Sequence, residues 1–225
     1  MIAQKEKFVE ADRRAARNMV AAATAAGVER IIYLGGLAEA GDGALSKHLR
    51  SRIEVADILQ SGPVPTTDLR APMILGSGSA SFEILRYLVE RLPIMTTPRW
   101  VRNPVQPIAI RNVMSFLAAT IFDERCYNKR YDIGGPDILS YREMLLQFAR
   151  VRKLKRAIWV IPVMTPRLSS YWLYFITSTS YRLAVNLVNS MKVEVVCQEN
   201  DLNDRLGIDL LSYKEAVKMA FDRIA

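Results

Sequence analysis

The stretch from Gly27 to Leu59 constrains this chain more than any other. It runs Gly27-Val28-Glu29-Arg30, then the apolar Ile31-Ile32-Tyr33-Leu34, then Gly35-Gly36, a polar loop, and an amphipathic segment carrying His48 and Arg52. A short apolar run bounded by glycine and followed by a helical pattern is the grammar of a buried parallel strand feeding a crossover helix. In such α/β units function gathers where the carboxyl end of a strand meets the loop beyond it. Here that point is Gly35-Gly36, and the chain's one histidine, His48, follows shortly after.

The segments on either side fit a helix–strand–helix order. Phe8 to Ala26 is Ala-rich and free of Pro and Gly, and Gly27 stands where a C-terminal cap belongs. Phe8, Ala11, Ala15, Met19, Ala22 and Ala26 share one face at helical spacing, the face expected to lie on the sheet. A second helix is expected from about Ser46 to Gln60, with Leu45, Leu49, Ile53, Ala56 and Leu59 as its apolar stripe. Lys47, Arg50, Glu54 and Asp57 form its wet face. At 100° per residue Arg52 falls inside the stripe and His48 at its border. An arginine turned into a packed face is expected to be paired, because an unpaired buried charge is very costly.

Farther on, Thr67–Pro72 reads as a second buried strand ending in Arg70-Ala71-Pro72. Gly76-Ser77-Gly78 then leads to a helix from about Ser81 to Arg91. Four prolines between Pro93 and Ile110 suggest irregular extended chain. A helix over Arg111–Phe122 and a strand over Lys129–Ile133 follow, the strand running into Gly134-Gly135-Pro136. Ser140-Tyr141-Arg142-Glu143 is a capping-box start for a helix reaching Val151. Ile158–Val163 reads as a short strand and Arg167–Met191 as mainly helical. Ser212-Tyr213-Lys214-Glu215 repeats the cap signal for a terminal helix to Ile224. The alternation implies a doubly wound α/β sheet. The dinucleotide fingerprint G-x-G-x-x-G between strand and helix is absent. Gly76-Ser77-Gly78 has two of its glycines and reads equally as a phosphate loop or a turn.

Composition narrows the functional classes. One histidine and two distant cysteines, Cys126 and Cys197, offer neither a metal site nor a disulfide framework, and a reducing compartment fits best. The net charge is +8, and Arg150, Arg152, Lys153, Lys155 and Arg156 fill five of seven positions. No nucleic-acid motif or interleaved aromatics accompany the cluster, so nucleic acid is not an expected partner. A solvated helix end is the leading reading, and an anionic membrane surface or phosphate-rich ligand the alternative. The N-terminus is charged from Lys5 onward and lacks an apolar signal segment, which points to the cytoplasm. Leu168–Tyr181 is too short and too rich in Ser and Thr to span a membrane; it is expected to pack, or to lie on a membrane surface. Trp159 and Trp172 read as core or lid.

Three motifs together resemble a known family: Gly27 through Gly36; Leu69-Arg70-Ala71-Pro72 with Gly76; and Tyr131-Asp132-Ile133-Gly134-Gly135-Pro136 with Ser140-Tyr141-Arg142-Glu143. They look like the later strands of an atypical, extended short-chain dehydrogenase/reductase, in the subgroup of NAD(P)-binding proteins similar to the complex I 39 kDa subunit. The resemblance implies that residues 1–138 are the C-terminal portion of a Rossmann-type domain. Residues 139–225 would be a small, mainly helical substrate-side region. The family opens with a glycine-rich strand–loop–helix that has no counterpart here. The Ile31–Leu34 edge is therefore expected to await missing N-terminal strands or another chain, and a bare apolar edge is an aggregation hazard.

The resemblance also implies a cofactor and a site. NAD or NADP would serve the parent protein, with weak or absent binding by this chain alone. The family's Tyr-x-x-x-Lys motif falls on His48-Leu49-Arg50-Ser51-Arg52, and its catalytic Ser or Thr on Gly35-Gly36. His48 and Arg52 are then the catalytic candidates. Gly35, Gly36, Arg52, Arg70, Ala71 and Pro72 are the cofactor-contact candidates, with no metal. Gly76–Ser81 would close over the substrate. A border histidine, a paired arginine and close helix–strand packing remain the alternatives at these positions. Two functions follow: hydride transfer on a small carbonyl or lipid-like substrate, or a non-catalytic nucleotide-binding module in a membrane-linked or redox assembly.

Overall fold

The structure, a computed structural model, describes residues 2–37, 47–161 and 194–222, those at 2–7 and 47–48 by backbone alone. The helix expected over Arg167–Met191, with Trp172, lies outside the described residues. In chain order the first elements are α1 (Ile2–Ala25), β1 (Ile31–Gly36), α2 (Lys47–Gln60), β2 (Thr66–Ala71), β3 (Ile74–Leu75), α3 (Ala80–Arg91) and β4 (Ile94–Pro98). There follow β5 (Pro104–Val105), β6 (Ile108–Ala109), α4 (Ile110–Thr120), β7 (Arg130–Asp132), β8 (Leu139–Ser140) and α5 (Tyr141–Val151). The last are β9 (Ala157–Ile161), α6 (Leu202–Leu206) and α7 (Tyr213–Asp222).

The chain divides into two compact units, each built from several segments of the chain. One comprises Met1–Ala71, Met114–Ile133 and Cys197–Ile208, the other Pro72–Val113, Gly134–Val196 and Asp209–Ala225. Hydrogen bonding explains the interleaving in the first unit. Gln198 N donates to Asp132 Oδ2 and Asn200 Nδ2 to Asp132 O, both at 2.9 Å, tying a late segment to β7.

The first unit is built on a parallel three-stranded sheet in the order β1-β2-β7. Gly27 ends α1 at a left-handed φ of +62°, a conformation that favours a residue without Cβ. Val28 N then donates to Ala23 O at 2.9 Å, and the chain turns directly into β1. Ala23, Ile31, Leu59 and Val64 form the buried cluster joining α1, α2 and β1. The packed face of α1 differs from the expected one. Ala16 and Ala23 are buried, whereas Phe8 and Met19 are 46% and 55% exposed. Polar pairs set that rotation: Ser51 Oγ donates to Asp12 Oδ2 at 2.6 Å, and Arg13 Nε to Glu54 Oε1 at 2.5 Å. Among the described residues β1 has a strand neighbour on one side only, β2.

The second unit holds three two-stranded pieces, β3–β6 and β4–β9 parallel and β5–β8 antiparallel. Its core gathers α3, α5 and α7 around Phe82, Phe148 and Phe221, whose ring centroids lie 5.5–5.7 Å apart. Buried Tyr213 joins them, its hydroxyl donating to Met144 O at 3.0 Å. Both capping signals form. Ser140 Oγ accepts from Glu143 N while Glu143 accepts from Ser140 N, and Ser212 and Glu215 repeat the exchange.

The expectations about charge and aromatics are narrowed here. Trp159 is 64% exposed and so is not core. The basic run at 150–156 is a largely exposed helix end, as expected, and two of its members also make specific pairings. Arg156 donates to Val89 O and Glu90 O, closing the carbonyls at the end of α3, and Arg152 pairs with Glu90 at 3.3 Å.

Candidate functional site

Parallel strands in matched register point paired residues to the same face. In the first unit this builds two rows across the sheet. Tyr33, Asp68 and Arg130 form one; Gly35, Arg70 and Asp132 form the other, at the strands' carboxyl ends. Acid and base alternate from strand to strand, so charges that would be prohibitive alone compensate one another.

The carboxyl-end row centres on Arg70. Its Nη2 lies 2.6 Å from Asp132 Oδ1, a close ion pair rather than an aligned hydrogen bond. The Asp132 side chain is almost wholly buried, whereas that of Arg70 is a quarter exposed. Buried Arg70 Nε has no hydrogen-bond partner among the described residues. The guanidinium is thus anchored by Asp132 while part of the side chain stays exposed, and an arginine so held is suited to anionic or hydroxyl-bearing ligands. Cys197 belongs to the same cluster. Burial, with Asp132 adding and Arg70 opposing, pushes its thiol up to about 12, which makes it a poor nucleophile at neutral pH.

In the inner row Asp68 is buried, and Arg130 Nε stands 3.4 Å from its Oδ2. Arg130 also pairs with Asp57 of α2. Burial pushes the Asp68 carboxyl up to about 6, against the opposing pull of Arg130 and Arg70. Asp68 Oδ1 and Tyr33 Oη are buried without hydrogen-bond partners among the described residues. Both side chains crowd Gly35: a Cβ there would meet Asp68 Oδ1 at 2.9 Å and Tyr33 Cε1 at 3.1 Å. The position where a hydroxyl residue was sought is therefore filled by a carboxylate from the next strand.

The structure brings several of the sequence-derived candidates together. Gly35 pairs with Arg70 and Gly36 with Ala71. A Cβ on Gly36 would meet Leu49 Cδ2 at 3.4 Å, which sets the start of α2, the turn bearing His48, against the end of β1. The side chain of His48 lies outside the described residues. Arg52 is exposed, not buried in the stripe, because the packing that buries Ala56 one turn later does not reach it. Pro72 is the first residue of the second unit. In that unit Ser79 Oγ accepts from Phe82 N at 3.2 Å and donates to Ile74 O at 3.0 Å, so the Gly76–Ser81 segment is a helix cap. Asp68, Asp132 and Tyr33 escaped the sequence reading. The signal for them was a charged pair two residues apart in each of two strands, Asp68/Arg70 and Arg130/Asp132.

No family model matches the sequence, and no curated protein matches it. Solved structures do. An NADPH-dependent quinone oxidoreductase from Escherichia coli aligns with a TM-score of 0.73 and 17% identity, over 92% of this chain and 72% of that one. Triphenylmethane reductase of Citrobacter sp. aligns at 0.69 and 20%, over 92% and 70%. A nucleoside-diphosphate-sugar epimerase from Staphylococcus aureus aligns at 0.69 and 15%, over 90% and 69%. The fold is Rossmann-type. In this Rossmann-type sheet the Arg70–Asp132 pair and Gly35-Gly36 occupy the carboxyl ends of adjacent strands, the edge where open α/β sheets bind ligands. No helix of the described residues is long and apolar enough to cross a membrane.

Proposed function

We propose that this chain contributes the Arg70, Gly35-Gly36 and His48 side of an NAD(P)(H) site of an atypical short-chain dehydrogenase/reductase, similar to the complex I 39 kDa subunit subgroup. The observation that carries the reading is the Arg70–Asp132 pair at the carboxyl ends of β2 and β7, in a sheet with the fold of NADPH-dependent reductases. When bound, the nicotinamide would supply or accept the hydride. Arg70, held by Asp132, orients the cofactor's ribose or a polar substrate group. Gly35 makes room for Asp68 and Tyr33, Gly36 beside it keeps the strand end free of a side chain where a ring would approach, and Ala71 and Pro72 line its path. Arg52, exposed on α2, offers a fixed fork of donors to ribose hydroxyls. His48 holds or passes the proton near neutral pH. The edge of β1 that has no strand neighbour among the described residues accepts a further strand, from elsewhere in the protein or from another chain.

The crowding of Gly35 by Asp68 favours a second reading, because no hydroxyl is present there to polarise a carbonyl. On that reading the nucleotide serves assembly, at a membrane or in a redox complex. Thermal melting with saturating NADH or NADPH tests the cofactor, since a ligand that binds only the folded state raises the midpoint. A small rise is expected with one of them, abolished in Arg70→Ala. No rise with either removes the cofactor reading. A rise without turnover of quinone or carbonyl acceptors selects the second.

A further inference from the structure

In the second unit the β4–β9 ribbon buries one face and leaves much of the other exposed, although Thr96 there is half-buried and Pro98 buried. Met95, Thr97 and Ile158 are buried, and Val160 is half-buried beside them. The register places Ile94 opposite Ala157, Thr96 opposite Trp159 and Pro98 opposite Ile161. On this outward face Ile94, Trp159 and Ile161 are 54%, 64% and 38% exposed. Clustered exposed apolar residues mark an interaction surface. A tryptophan among them fits a boundary that is apolar on one side and wet on the other.

Charge decides what the surface meets. The segments that contain the two strands, residues 91–102 and 150–161, carry three and five basic residues and no acidic one. Arg152 and Arg156 are engaged by Glu90 and by the carbonyls at the end of α3. Arg99 and Arg102 beyond β4, and Lys153 and Lys155 before β9, are exposed. A second copy set face to face would bring these cations together. A nucleic acid would gain little from two isoleucines, which offer no stacking surface. Aliphatic and indole groups rimmed by lysine and arginine match anionic lipid headgroups over an acyl boundary.

The geometry points to this ribbon face as a docking surface for an anionic membrane, with Trp159 and its isoleucine neighbours entering the headgroup boundary and Lys153 and Lys155 meeting the lipid charge. This reading does not depend on the nicotinamide site, and its test contains no cofactor. The full chain is sedimented with phosphatidylcholine vesicles with and without phosphatidylserine. Binding is expected only with the anionic lipid and falls as salt is raised. Each basic residue near such a surface is worth about fivefold in partitioning, so Lys153→Gln with Lys155→Gln weakens binding about thirtyfold. Trp159→Ala weakens it at least tenfold with an unchanged melting curve, since the side chain is largely exposed. Equal binding to neutral vesicles overturns the assignment, as does undiminished binding of Trp159→Ala. Preference for an oligonucleotide over the vesicles overturns it too.

Discussion

Arg70 Nη2 stands 2.6 Å from Asp132 Oδ1, on the neighbouring strand at the same level of the register. Removing the arginine leaves a buried carboxylate without its counter-charge. Arg70→Ala is therefore expected to cost about 2–4 kcal/mol in urea unfolding, while Arg70→Ala with Asp132→Asn recovers part of that loss. Equal costs for the single and double variants would show that the two side chains are not coupled.

Asp68 gives the fold a distinctive pH dependence. Its carboxyl titrates at about 6 in the folded chain because burial disfavours the charged form. The folded state then holds a proton that the unfolded chain has released above about pH 4, so this group's contribution falls as pH rises toward 6 and levels off above. The stability of Asp68→Asn relative to the parent should rise across that window and stay constant from pH 7 to 8. Paired melts at each pH check it, and a flat difference would contradict the assignment.

Gly35 and Gly36 should respond unequally to a methyl group. At Gly35 it meets Asp68 Oδ1 at 2.9 Å and Tyr33 at 3.1 Å; at Gly36 it meets only the flexible end of Leu49 at 3.4 Å. Gly35→Ala is expected to cost about 1–3 kcal/mol and Gly36→Ala under about 1 kcal/mol, by denaturant midpoint.

Arg52→Ala separates stability from binding. The side chain is exposed, so the melting temperature without ligand should not change. Any effect should appear only in the rise produced by NADH or NADPH, and loss of that rise would place Arg52 at the cofactor.

Much of the fold was legible because its signals are local. Gly27 at a positive φ, and Ser140 and Ser212 exchanging bonds with glutamates three residues on, are decided by chemistry within one turn. The strand at Ile31 and the order of elements followed from runs of apolar residues. Rotation of helices was not legible. Asp12–Ser51 and Arg13–Glu54 turn the packed faces of α1 and α2 by polar pairing, which a count of apolar residues cannot register. The buried acids were missed for a related reason. Asp68 and Asp132 are stabilised by arginines paired to them across strands, a distance of dozens of residues in sequence.

The two units share one thread that crosses between them repeatedly, at 71, 113, 133, 196 and 208. Neither can be cut out as a continuous length of gene. A protein shortened after residue 138 would keep β7 yet lose Gln198 and Asn200, the residues that clasp Asp132 from beyond the break. Exchanging either unit alone therefore means rejoining the chain at every one of these crossings.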